Sequence, residues 1–228
     1  MNCEGAVGAF GLREGAPCSD SPRSLRSLRN CARDPRAQAE SAELVGKARQ
    51  VDLPLNREVL RELRAGDSCL LTGPMFTLRD AGHMRLLAEL DEQGSDKLPY
   101  GLDGQAIFYA GPTPAAAGRP FGAIGPTTAS RMDFAAPRLH DAGVAATIGK
   151  GVRSDAVREA CVRNGAVYFV TVGGAAAYLA KCVTASETLA YDDLGTEALR
   201  VIEVVDFPVF VGIDTLGNDV YDLRDDAS

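Results

Sequence analysis

Residues 125–151 read GPTTASRMDFAAPRLHDAGVAATIGKG, and the rest of the chain is read outward from them. A strand-like approach ends at Gly125-Pro126. Thr127 and Thr128 follow, and the spacing predicts a short amphipathic helix carrying Arg131. A second apolar strand, residues 144–148, ends in Gly149-Lys150-Gly151. Hydroxyl, guanidinium and ammonium groups are thereby set just past strand ends, where layered α/β domains bind ligands.

Upstream, residues 51–53 suggest a strand, and Asn56 is positioned to cap a helix over 57–64. Residues 68–72 form a buried strand that Gly73-Pro74 should break. Thr77 then reads as an N-cap with Asp80 at N3, ahead of a helix that Gly94 closes. A strand over 105–110 leads to an Ala-, Gly- and Pro-rich loop at 113–119. Downstream, the pattern predicts a helix over 155–164, a strand over 166–172 and a short helix over 175–181. Strands are expected at 188–191, 201–205 and 207–211, and a turn at 214–218. This is a mixed α/β domain of layered type, a mixed sheet with flanking helices. Residues 1–43 are rich in Gly, Ser, Pro and Arg and poor in large apolar side chains. They read as a disordered extension, or as a start placed too far upstream. The domain is expected over 44–222, and 223–228 form a charged tail.

The chain has 228 residues, 46% of them apolar, and a formal charge of −7. The acidic balance argues against nucleic acid as a partner. It leaves room for an anionic small molecule, because local cations dominate inside a cleft. No apolar run is long enough to span a membrane, and no secretory signal is expected. Cys3, Cys18, Cys31, Cys69, Cys161 and Cys182 are scattered, without metal-ligand spacing. They read as reduced thiols of a cytoplasmic protein, with no metal site on this chain.

Six segments carry a resemblance. In order they are TGPMFTLRDAGHMRLL, LPYGLDGQAIFYAGP, GPTTASRMD, IGKG, VGGAAAYLAK and LGTEALRVIEVVDFPVFVGIDTLGND. Together they resemble the β subunit of class I iron–sulfur hydro-lyases, the fumarate hydratases and L(+)-tartrate dehydratases. The likeness runs from about residue 44 to 220. It implies a swivelling β/β/α domain and a [4Fe-4S] cluster held by an α subunit rather than by this chain. It also implies a dicarboxylate substrate and an α2β2-type heteromer. Hydration of fumarate to (S)-malate is the first expectation and dehydration of tartrate the alternative. A non-catalytic assembly module of the same fold is the third.

By the same resemblance, Thr127 is the catalytic base, assisted by an Asp of the α subunit, since a threonine hydroxyl is a weak base alone. Arg131 and Arg79 clamp substrate carboxylates, and Lys150 contacts one as a mobile charge. Leu78 stands where the family commonly has alanine, which leaves Arg79 intact. Asp80 either orients Arg79 or caps the helix. His83 lies one turn after Arg79 and is expected to shape the site. Gly149 and Gly151 would admit close backbone approach. Thr128 reads as an N-cap rather than a catalyst. The sequence GVAATIGKGV is not a P-loop, having the wrong glycine spacing and no Ser or Thr after the lysine.

Overall fold

The computed structural model describes residues 48–95, 97–114 and 120–225. The expected extension over 1–43 and most of the 113–119 loop lie outside these. Among the described residues a seven-stranded mixed sheet is flanked by helices. The elements are β1 (Arg49–Asp52), α1 (Arg57–Glu62), β2 (Ser68–Thr77), α2 (Asp80–Gln93) and β3 (Ala106–Phe108). A 3₁₀ helix over Ala129–Met132 leads to α3 (Ala136–Asp141) and β4 (Ala146–Gly149). Then come α4 (Asp155–Asn164), β5 (Val167–Val170), α5 (Ala176–Leu179), β6 (Val183–Ala190), a 3₁₀ helix over Asp192–Glu197, β7 (Leu199–Ile213) and α6 (Asp222–Asp225).

The strand order is β1-β2-β3-β4-β5-β7-β6, and β2 also pairs with β7. The pairings therefore close β2, β3, β4, β5 and β7 into a ring. β1 to β5 run parallel, and β7 is antiparallel to β2, β5 and β6. Side chains alternate across each strand. Ala106, Phe108, Ile148, Val167, Phe169, Phe207 and Val209 join one core, whereas Ile107, Tyr109 and Tyr168 join a second core with Leu86, Leu90, Leu139 and Val157. Burying one Phe or Leu side chain contributes about 1.5–3 kcal/mol, so these two layers dominate the stability.

Three local expectations are corrected. Gly73-Pro74 does not end β2, because β7 pairs along its whole length and a register shift between Leu71 and Gly73 absorbs the irregularity. Gly73 takes φ +122°, and a Cβ there would meet Leu53 O at 2.6 Å. The strands expected at 201–205 and 207–211 are one strand, β7, held by neighbours on both edges. Thr77 does not cap α2: it pairs with Phe108 and Arg200 as the last residue of β2. Asp80 opens α2, whose N-cap position is Arg79. Asn56 Oδ1 does accept from Glu58 N–H at 2.8 Å, as its position predicts.

Candidate functional site

The C-terminal ends of β2, β3 and β4 are level, since Thr77 lies opposite Phe108 and Phe108 opposite Ile148. Two residues beyond each stand Arg79, Ala110 and Lys150. Thr127 is drawn to the same edge by its backbone. Its N–H donates to Tyr109 O (2.8 Å), and its carbonyl accepts from Lys150 N–H (3.2 Å). Ala129 N–H donates in turn to Lys150 O (2.9 Å). Thr127 is half-buried, while Thr128, Arg131 and Lys150 are exposed. The predicted helix carrying Arg131 is the 3₁₀ turn Ala129–Met132. Thr128 occupies its cap position without a side-chain cap bond.

Arg131 and Arg79 converge on one carboxylate. Arg131 Nη2 lies 2.8 Å from Asp80 Oδ1, and Arg79 Nη2 lies 3.5 Å from Asp80 Oδ2. Arg79 Nη2 is also 3.5 Å from Glu197 Oε1. Its Nε is buried without a hydrogen-bond partner. Gly111 makes the room: a Cβ there would sit 2.9 Å from Arg79 Nη1. Among the described residues Lys150 has no ion-pair partner, and no side-chain hydrogen bond or ion pair joins it or Thr127 to the arginine group. The two groups are joined through backbone, by Leu78 N–H to Phe108 O (3.2 Å) and by Thr127 N–H to Tyr109 O.

His83 is fully buried beneath this edge. Its Nδ1 lies 2.8 Å from Arg79 O. A carbonyl only accepts, so Nδ1 carries the proton and Nε2 is an unpaired acceptor. Burial pushes its pKa down to about 4, so the ring is neutral. Its edge meets the Tyr109 ring at 5.2 Å. Gly149 is buried, and a Cβ would meet Ala129 Cβ at 2.9 Å, so its bareness admits the Arg131 turn. Gly151 has φ +85° and open space around it, a backbone need rather than a packing one.

Sequence reading missed two groups. Glu197 Oε2 accepts from Ala81 N–H at 2.8 Å and so supplies the cap of α2. Nothing local announces a cap from 116 residues away. Asp133 lies inside the quoted GPTTASRMD segment. It accepts from Arg153 Nε (2.7 Å) and Ser154 N–H (2.8 Å). A separate cleft lined by Arg57, Arg61, Arg163 and Thr215 lies at the opposite strand ends. Two of its guanidinium groups are already engaged, Arg57 on Asn164 O and Arg163 on Asp141.

Residues 26–223 match the family described as the fumarase C-terminus. The chain belongs to that family. It is 39% identical over 184 residues to the anaerobic class I fumarate hydratase of Escherichia coli K12, covering 77% of this chain and 33% of that protein. It is 38% identical over 167 residues to fumarate hydratase 2 of Leishmania major, covering 72% and 29%. It is 36% identical over 172 residues to the β subunit of L(+)-tartrate dehydratase of E. coli K12, covering 73% and 83%. This fumarase C-terminal chain thus spans about a third of the length of the fumarate hydratases it matches. Among the described residues no helix is long and apolar enough to cross a membrane.

Proposed function

We propose that this chain supplies the dicarboxylate-binding half of a hydro-lyase, with fumarate and (S)-malate as substrate pair. The reading is carried by one observation: two guanidinium groups bracket a single carboxylate, that of Asp80, beside the Thr127 and Lys150 loops. Arg79, Arg131 and Lys150 set three positive charges against the carboxylates of Asp80 and Glu197, a net positive charge that attracts an anion. A planar fork suits each carboxylate. Arg131 takes one carboxylate, Arg79 the other, and Lys150 adds a mobile charge. In the dehydration direction Thr127 Oγ1 takes the proton from the substrate carbon as its own hydroxyl proton passes to a carboxylate of a second polypeptide, and hydration runs the same transfer in reverse.

That second polypeptide is an α subunit, in an α2β2-type assembly. Phe134 and Val152 stand exposed next in sequence to the Arg131 and Lys150 segments and offer apolar contacts for it. An iron–sulfur cluster does not fit the described thiols here. Burial pushes Cys69 up to about 11 and Cys161 up to about 12, whereas a cluster needs thiolates. Among the described residues no three His, Cys, Asp or Glu side chains gather. The family resemblance places the [4Fe-4S] cluster on the α subunit, where it would supply Lewis acidity to the substrate hydroxyl.

The test is anaerobic co-expression with an α-subunit reading frame, assayed on fumarate, malate and tartrate. Reversible fumarate hydration by the pair, absent from either chain alone, is expected. Full activity of this chain by itself overturns the shared site. A second reading, tartrate dehydration, draws on the likeness to the tartrate dehydratase β subunit along 83% of that protein. It predicts turnover of L(+)-tartrate in preference to malate in the same assay.

A further inference from the structure

We infer that Arg153 is the positioning residue that holds the anion-binding loops in register. The inference rests on the dicarboxylate reading above for its functional sense. The Arg153 side chain is fully buried, at 0% exposure. A lone buried charge costs several kcal/mol, so each contact that keeps it there is informative. Its Nε donates to Asp133 Oδ1 (2.7 Å) and its Nη1 to Thr147 Oγ1 (3.2 Å). The guanidinium lies 5.3 Å over the Tyr109 ring and 4.8 Å over the Tyr168 ring.

Each neighbour is tied to a different part of the site. Asp133 follows the Arg131 turn, and its second oxygen accepts from Ser154 N–H. Tyr168 donates its hydroxyl to Gly151 O at 2.9 Å, which fixes the Lys150 loop. Tyr109 accepts Thr127 N–H at its backbone oxygen, and its ring meets His83, which holds Arg79 O. One planar cation therefore touches groups attached to Arg131, Lys150 and Thr127, and reaches Arg79 through Tyr109 and His83. A lysine keeps the charge but loses the fork and the flat stacking face.

The experiment titrates the full chain with succinate, a dicarboxylate that a hydro-lyase does not turn over, by calorimetry. Wild type, Arg153→Lys, Arg153→Met and the exposed control Arg163→Lys are compared. Amide hydrogen exchange is followed in parallel. Arg153→Lys is expected to weaken succinate binding at least tenfold. It should also speed exchange at Ser154, Thr127, Ala129 and Lys150, leaving β6 and β7 unchanged. If Arg153→Met does not fold, Tyr168→Phe keeps the ring and removes only the bond to Gly151 O. It should raise exchange at the Lys150 loop and weaken succinate binding severalfold. Wild-type affinity and unaltered exchange in Arg153→Lys overturn the assignment. Wild type that binds no succinate tells against the dicarboxylate reading instead, and the exchange pattern still decides the role of Arg153.

Discussion

Arg131 is the residue at which binding and stability separate most cleanly. Its side chain is 51% exposed and its pair with Asp80 is only partly sheltered. Such a pair contributes about 0–1 kcal/mol to folding. A bound carboxylate stripped of its guanidinium inside a closed site loses about 1.5–3 kcal/mol. Arg131→Ala in the assembled enzyme should thus lower kcat/KM by roughly 10- to 150-fold while the melting temperature barely moves. Steady-state kinetics beside thermal unfolding checks this, and an unchanged kcat/KM removes Arg131 from the substrate clamp. Asp80 offers the converse case. Asp80→Asn releases both guanidinium groups from their shared counter-charge. Succinate affinity is expected to rise, with a steeper dependence on ionic strength. A fall in affinity means that Asp80 aligns the arginines more than it competes with substrate.

At the scale of elements, the site is made by short pieces fitted against strand ends. Gly149 ends β4 under the Arg131 turn, with room for hydrogen only. Gly149→Ala should overpack Ala129 and Tyr109 at about 1–3 kcal/mol, measured by urea unfolding, and shift Arg131 out of line. Loss of succinate binding should exceed that of Arg131→Ala, since Lys150 moves as well; wild-type binding in Gly149→Ala defeats this account. Elements whose signals are local were legible. Asn56 caps its own helix, and α4 runs over Asp155–Asn164 with Gly165 in the left-handed region at its end. Elements settled by partners far along the chain were not. β2 crosses Gly73-Pro74 because β7 lies beside it, and α2 is capped by Glu197 rather than by its own flank. The same division holds for the site. Arg79, Thr127, Arg131 and Lys150 sit in recognisable segments; Glu197 does too, but its link to Ala81 appears only in the fold, and Arg153 lies outside those segments.

Across the whole molecule, the closed sheet buries both histidines of the chain, and this sets its response to acid. Burial pushes His83 and His140 down to about 4 from an ordinary 6.5. His83 faces Arg153 and Asp80, and His140 faces Arg153 and Asp141, with Arg153 opposing a charge on either ring. Each ring also spends Nδ1 on a backbone oxygen, Arg79 O or Val144 O, and leaves Nε2 unpaired. Between pH 6.5 and 4 the unfolded chain binds protons that the folded chain refuses. The stability contribution is therefore whole above pH 6.5 and is lost as pH falls toward 4, on the order of 3 kcal/mol for each histidine. Urea unfolding from pH 7.5 to 5 should show stability declining with a slope that approaches two protons near pH 5, before most carboxylates titrate. His140→Phe should be less stable at pH 7.5, having lost its bond to Val144 O, yet its slope should fall to about one proton, so that its profile converges on wild type toward pH 5. A profile that stays flat from pH 7 to 5 in the full chain means that water reaches these rings, and that the layer beneath the site is open rather than sealed.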